Sequence, residues 1–283
     1  MSVPQSILLT INKWFKPPVH PFNIDGGGGA GYAEWQFRNG AKTVAFYMSH
    51  TTEAEMFSGK AVLDVGCGAA GKSLYYASLG ARRVVGLDVL ERYRGDALAM
   101  ARRKGLDGAF EYVCADAAET GFADGSFDTV VMNDAVEHVA RPEAVLTECL
   151  RLLAPGGRLY LNFPPYGHPY GAHLSDAISV PWVHKFFSEK TLIAVYKRLV
   201  GGLPDGADRI SLRISKDGNG VERLSYINRM TIKRFGAILA GLPAKRAYYS
   251  EEPLRGFFRP LSRLPVLREL LVKMVVAVLE RAD

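Results

Sequence analysis

Cysteine is scarce in this chain. Cys67, Cys114 and Cys149 are the only three in 283 residues, an odd, widely spaced set that excludes a disulfide framework and fits no zinc-ligand spacing. They read as reduced thiols in a loop, a strand and a helix. Long hydrophobic runs are also missing. Lys273–Leu279 is apolar but too short, and too charged at Lys273, to span a membrane. Met1–Ile11 lacks a basic leader region and a small-residue cleavage site, so no secretory signal is expected and the expected location is cytoplasmic. There is no internal repeat, and low complexity is confined to Gly26–Gly29. No aromatic-and-basic module of the RNA-binding kind occurs either, so no nucleic-acid partner is expected.

What the chain does have is a hydrophobic content of 48%, enough for a full core in one domain with insertions. Short β-branched runs alternate with helical patterns. Lys60–Val65, Arg83–Val89, Thr129–Asn133 and Arg158–Phe163 read as strands, and Ser73–Leu79 as a helix stopped by Gly80. That alternation predicts a parallel, doubly wound α/β sheet.

Gly66-Cys67-Gly68-Ala69-Ala70-Gly71-Lys72-Ser73 satisfies two motifs at once. As Gly-x-Gly-x-x-Gly it is a dinucleotide-type turn between strand and helix; as Gly-x-x-x-x-Gly-Lys-Ser it is a phosphate-cradling P-loop. The surroundings favour the first. Asp88 ends the next strand 17 residues after Gly71, near the offset of about 20 at which an acid reaches ribose hydroxyls. Asp64, two residues before the turn, would repel a triphosphate. Asp134 is the one acid placed to serve a P-loop metal.

These segments resemble the class I S-adenosylmethionine-dependent methyltransferases. The resemblance rests on Val62–Gly68, Val84–Asp88, Cys114–Ala117, Ser126–Val131, Asp134–Val139 and Leu152–Leu159, in family order over residues 59–163. It implies a mostly parallel seven-stranded, Rossmann-like sheet with a final antiparallel strand, for which Lys273–Leu279 is the candidate. It implies S-adenosylmethionine as cofactor. Gly66, Gly68 and Gly71 would admit the cofactor to the backbone, Asp64 would neighbour the methionine ammonium, and Asp88 with Val89 would hold the ribose. Asp116 and Ala117 would hold the adenine, and Asn133 would lie near the reacting methyl. Asp128 and Pro155-Gly156-Gly157 read as structural: a polar residue opening a strand and a turn before the next.

The resemblance also bears on the acceptor. Asp134-x-x-Glu137-His138 is similar to a Glu-x-x-Glu-His element that binds a divalent metal in some relatives. Here the first acid is the shorter Asp, and no metal is expected. Removing a proton from a hydroxyl or acidic carbon suits a histidine. His168, His173 and His184, with Tyr166, Tyr170 and Trp182, make an aromatic, imidazole-rich stretch after the fifth strand, a composition that suits an acceptor pocket. His173 is the first candidate for the base and His138 the second. Asn162-Phe-Pro-Pro-Tyr166 invites comparison with the Asn-Pro-Pro-Tyr motif of amino-methyltransferases, but a Phe intervenes and the strand is the wrong one.

Residues 1–58 are expected to form an N-terminal helical cap, with a helix near Glu34–Met56 and a hinge at Gly26–Gly31. Residues 59–283 are expected to form the methyltransferase domain, with 164–228 as a lid. Inside that lid a helix is expected near Ser188–Leu199 and a turn at 201–208; Thr231–Leu242 then reads as the last core helix and Lys245–Ser250 as an adjoining strand. The net charge is +6. Arg255, Arg259 and Arg263, together with Ile7, Leu8, Ile11, Trp14 and Phe15, suit contact with a lipid surface, against the plainer expectation that these apolar residues pack on the domain. The expected function is methyl transfer to an oxygen or carbon of a small, partly hydrophobic acceptor, lipid-, quinone- or natural-product-like. The alternatives are a non-catalytic cofactor-binding subunit and a P-loop nucleotide-binding protein.

Overall fold

A computed structural model of the chain describes residues 2–18, 23 and 29–281. Residues 26–28 of the expected glycine hinge lie outside the described residues. In chain order the elements open with helices α1 (Val3–Asn12), α2 (Gly29–Arg38), α3 (Gly40–Val44) and α4 (Glu53–Phe57). Then come β1 (Ala61–Val65), α5 (Gly71–Ser78), β2 (Arg83–Asp88), α6 (Arg94–Arg103), β3 (Phe110–Cys114), β4 (Phe127–Asn133), α7 (Pro142–Leu152) and β5 (Leu153–Phe163). They continue with α8 (Val183–Phe186), α9 (Glu189–Val200), α10 (Gly206–Arg213), β6 (Ile214–Lys216) and β7 (Glu222–Leu224). The last are α11 (Ile232–Gly241), β8 (Ala244–Pro253), α12 (Pro265–Leu271) and β9 (Val272–Arg281).

The chain divides into two compact units rather than one. Residues 28–163, 233–252 and 274–283 make one, and residues 1–27, 164–232 and 253–273 the other. The expected cap of residues 1–58 is therefore split between them.

The first unit holds the seven-stranded sheet, in the order β3-β2-β1-β4-β5-β9-β8. Neighbouring strands from β3 to β5 are parallel, and β9 runs antiparallel to β5, as expected for Lys273–Leu279. Every residue of β1 is buried, which is why it reads as an unbroken apolar run rather than an alternating one. The order reverses between β1 and β4, so the carboxyl ends of these two strands flank a topological switch point. Asp128 proves structural: its Oδ2 accepts from the Ala61 N–H at 2.8 Å, tying β4 to the start of β1. β5 begins earlier than expected. The Pro155-Gly156-Gly157 turn is absorbed into a register shift of the ladder between Phe127 and Thr129, with Gly156 at φ +74°.

The helix expected over Glu34–Met56 is broken into three. Asn39 leaves the helix at ψ 5°, and Thr52 caps α4 through a capping box with Glu55, its side chain accepting from the Glu55 N–H. Met56, Phe57 and Tyr76 join the core of this unit, where the Phe57 and Tyr76 rings stack at 4.6 Å.

The second unit has its own core, built from Leu8 of α1, Leu174, Ile178, Val180 and the inner face of α9. Ser188 caps α9 by accepting from the Thr191 N–H, so this helix starts where the sequence predicts. The turn expected at 201–208 gives way to α10 at Gly206. Arg209 and Arg213, one turn apart on α10, both reach the buried Asp176 carboxylate, at 3.3 and 3.2 Å. Asp205 takes a second bond from Arg209; two cations against two carboxylates leave this interior cluster balanced.

Candidate cofactor site

The site grows from the end of β1. Gly66 and Gly68 take positive φ, +75° and +55°, and Ala70 does so at +60°, so the backbone coils tightly between strand and helix. Gly66 is pressed from the β4 side: a Cβ there would lie 2.7 Å from the Ala135 Cβ. At Gly68 the nearest neighbours of a Cβ would be Tyr32 and Gln36, at 3.5–3.7 Å. Gly71 has a different neighbour. Its Cβ would sit 1.9 Å from the Ala33 carbonyl oxygen, so this glycine admits helix α2 against α5.

Gln36, on that same α2, was not among the residues singled out from the sequence. It is buried; its Oε1 accepts from the Gly71 N–H at 3.0 Å and its Nε2 donates to the Cys67 carbonyl. Ala70 offers α5 no side-chain cap, so a residue 35 positions earlier supplies one. No local pattern could have announced it.

Two carboxylates define the chemistry. Asp64 is buried in β1, and its Oδ2 accepts from the Ser73 hydroxyl at 2.6 Å. Burial pushes its pKa up to about 6, against the opposing pull of that hydrogen bond and of Lys72. Asp88 ends β2, its Oδ2 accepting from the Gly68 N–H at 2.8 Å and its Oδ1 from the Leu90 N–H at 2.9 Å. Burial raises its pKa too, and the backbone donors moderate the rise. Each oxygen keeps a second lone pair, so Asp88 both braces the glycine turn and can still accept from a ligand.

The P-loop ending is committed elsewhere. Lys72 pairs with Asp134 at 3.0 Å and Ser73 bonds Asp64. A triphosphate would have to displace both acids and then face them uncompensated. A cofactor with an ammonium and ribose hydroxyls meets the same carboxylates favourably, so these residues fit S-adenosylmethionine.

The other expected residues are spread along the same edge. Val89, just past β2, is exposed, and Ala117 is buried after β3. Asp116 is exposed; its Oδ1 accepts from the Ala118 N–H and its Oδ2 pairs with Arg141 at 3.2 Å. Asn133 is more heavily committed than expected. Its Oδ1 accepts from the Tyr47 hydroxyl at 2.5 Å and from Asn162 Nδ2 at 2.6 Å, and its Nδ2 donates to the Tyr76 hydroxyl at 3.0 Å. This buried network of Tyr47, Tyr76, Asn133 and Asn162 locks the ends of β4 and β5, where Asn133 and Asn162 face each other in register. Asn162 owes its place to it rather than to an amino-methyltransferase motif. A lone Asn inside Leu159-Tyr-Leu-Asn-Phe163 was the available signal.

Just beyond β4, Asp134 takes φ +52°, which turns its carboxylate to Lys72. Glu137 is buried, and burial, reinforced by the Asp134 charge, holds its carboxyl well above the ordinary range. His138 Nε2 lies 3.9 Å from Glu137 Oε1. His173 belongs to the other unit. It has φ +52°, its carbonyl accepts from Arg213 Nε at 3.1 Å, and its ring lies edge-on to Tyr226. His168 and His184 are pushed down to about 4, chiefly by burial. His168 Nδ1 accepts from the Tyr170 N–H, a bond that serves the turn.

Comparison with known proteins agrees with this geometry. Residues 63–161 match the family described as "Methyltransferase domain". The 24-methylenesterol C-methyltransferase 2 of Oryza sativa subsp. japonica is 37% identical over 105 residues, 37% of this chain and 29% of that protein. The chloroplastic tocopherol O-methyltransferase of Arabidopsis thaliana is 33% identical over 134 residues, 47% of this chain and 38% of its own. The match thus spans less than half the length of these curated relatives. In fold, the chain resembles the crystal structure of a putative sarcosine dimethylglycine methyltransferase from Galdieria sulphuraria. The two align over 100% of this chain and 99% of that one, with a TM-score of 0.54 and 12% identity. Through residues 63–161, the chain carries a domain of the methyltransferase family.

Proposed function

We propose that this chain catalyses methyl transfer from S-adenosylmethionine to an oxygen or carbon of a small, partly hydrophobic acceptor of lipid, quinone or natural-product type. The observation that carries the reading is the pair of carboxylates around the glycine turn, Asp64 and Asp88, with Lys72 and Ser73 already bonded to acids. The sterol and tocopherol named in two relatives support a lipophilic acceptor. Such acceptors reside in lipid phases, so contact with a membrane surface is part of the proposal.

When bound, the cofactor supplies an electrophilic methyl on a sulfonium. Asp64 would face its ammonium and Asp88, beside Val89, its ribose hydroxyls. Asp116 and Ala117 would border the adenine. Gly66 and Gly68 would let it approach the backbone, and Gly71 would hold α2 over the turn. Asn133, fixed by its network, would keep the end of β4 rigid beside the reacting centre. Rigid placement of the acceptor in line with the methyl can lower the barrier by roughly 7–11 kcal/mol at best. His173 or His138 would take the acceptor's proton.

The test is transfer of labelled methyl from S-adenosylmethionine to a panel of quinols, phenols and sterols, followed by extraction into an apolar solvent. Extractable label that depends on the acceptor is the expected result. Cofactor binding without transfer to any member would favour a non-catalytic cofactor-binding subunit instead. Within the active panel, His173→Ala and His138→Ala separate the two candidate bases: the true one loses roughly 100-fold or more in turnover with a hydroxyl acceptor.

A further inference from the structure

Residues 254–271 form an excursion in which Leu254, Phe258, Leu267, Leu270 and Leu271 are half-buried, while Phe257, Leu261, Leu264 and Val266 stand exposed. It follows Pro253, and the Leu254 N–H bonds back to the Leu271 carbonyl at 2.8 Å, closing its base. A second clamp lies at Gly167, where a Cβ would come within 2.1 Å of the Glu269 carbonyl oxygen, so α12 is seated by its backbone. Between these clamps lie the 3-10 turns Gly256–Phe258 and Leu261–Arg263 and the start of α12. Neither the first turn nor α12 buries a single residue, and the second buries only Ser262. Phe257 is 73% exposed and Val266 84%, with Leu261 and Leu264 also exposed. A soluble chain rarely leaves so many large apolar groups together in water without a use for them.

The charge is equally one-sided. Arg255, Arg259, Arg263 and Arg268 alternate with these apolar residues, and no acid occurs between Glu252 and Glu269. Four positive charges in so short a stretch compare with a net charge of +6 for the whole chain. The expected partners in α1 and its extension behave differently from one another. Leu8 and Ile11 pack into their own core, whereas Ile7, Trp14 and Phe15 are exposed.

We infer that residues 254–268 are a membrane-docking loop for anionic phospholipid surfaces. Phe257, Leu261, Leu264 and Val266 enter the boundary between headgroups and acyl chains, while the arginines meet lipid phosphates. A second copy of the chain fits poorly, because a symmetric contact would bring the arginines against one another. Nucleic acid fits poorly too, since Leu261, Leu264 and Val266 have no ring to stack on bases. The inference extends the lipid contact of the proposed function by naming its surface and lipid class. Its test reads vesicle binding and requires neither cofactor nor acceptor, so it can fail without methyl transfer failing, and the reverse.

The experiment is co-sedimentation of the full chain with phosphatidylcholine vesicles, with and without about a third phosphatidylglycerol, at low and high salt. Binding is expected with the anionic vesicles only, and to weaken at high salt. Replacing Arg255, Arg259 and Arg263 together by Gln should weaken binding about a hundredfold, near fivefold per arginine. Phe257→Ser with Val266→Ser should weaken it tenfold or more, and both variants should keep the wild-type melting temperature because the altered side chains are exposed. Absence of binding to anionic vesicles would overturn the inference, as would binding unaffected by both variants. So would a dimer in solution that Phe257→Ser with Val266→Ser dissociates, since the surface would then be an interface between copies.

Discussion

Asp64 holds a carboxylate in the interior of β1 with one hydroxyl donor and no adjacent cation in contact. Its pKa in the fold, about 6, lies above the ordinary aspartate value of 3.8, so between these values the folded state binds more protons than the unfolded one. Its contribution to stability is therefore best at acid pH and is lost as pH rises through that window, reaching a cost of about 3 kcal/mol at neutrality. Asp64→Asn keeps an oxygen for Ser73 and removes the charge. It should stabilise the protein by roughly 1–3 kcal/mol at pH 7 and by almost nothing at pH 4, as read by urea unfolding. The same substitution should weaken cofactor binding, and in the wild type that affinity should fall as pH drops through about 6, because a protonated Asp64 offers an ammonium no charge. Stability given up for a ligand is the expected signature of a binding residue. Asn133→Ala makes the opposite case. It leaves the Tyr47 and Tyr76 hydroxyls and the Asn162 amide short of a partner in a dry interior, and should cost about 2–4 kcal/mol by the same measurement.

At the scale of elements, the packing of α2 on α5 decides the shape of the glycine turn. Gly71→Ala would drive a methyl into the Ala33 carbonyl, and because the obstacle is backbone the helices must part. We expect a loss of at least about 2 kcal/mol in unfolding free energy, together with loss of the Gln36 bond to the Gly71 N–H. The strands of this unit were legible in the sequence as short apolar runs, two of them ending in a polar residue that the sheet delivers to one edge: Asp88 and Asn133. The last antiparallel strand was legible for the same reason. The break of the N-terminal helix was signalled by Asn39-Gly40 and by the Thr52-x-x-Glu55 capping box, but the apolar positions between Trp35 and Met48 favoured one continuous helix. Gln36 and Tyr47 escaped notice because their roles depend on partners 35 and 86 residues away. For Gly71 the motif identified the position, and the structure adds that its nearest obstacle is a helix.

The whole molecule contains two units whose buried titratable groups respond to acid in opposite ways. In the unit holding residues 164–232, burial pushes His168 and His184 down to about 4, below the ordinary histidine value of 6.5. The unfolded chain binds more protons between these values, so that unit loses stability as pH falls from 6.5 toward 4. In the sheet unit, Asp64 and Glu137 are raised, and acid relieves them. Hydrogen exchange at pH 7 and pH 5, corrected for intrinsic rates, should show protection falling in residues 164–232 while β1 and β4 hold or gain. The histidine-rich stretch was visible in the sequence, but composition alone could not separate a base from an imidazole buried for packing. The central claim remains the identity of the nucleoside at the glycine turn. Calorimetric titration of the full chain with S-adenosylhomocysteine, and separately with ATP and magnesium, tests it most directly. Binding of the first alone is expected, weakened tenfold or more by Asp88→Ala; binding of ATP, or affinity untouched by Asp88→Ala, would rule out S-adenosylmethionine as the ligand of this turn.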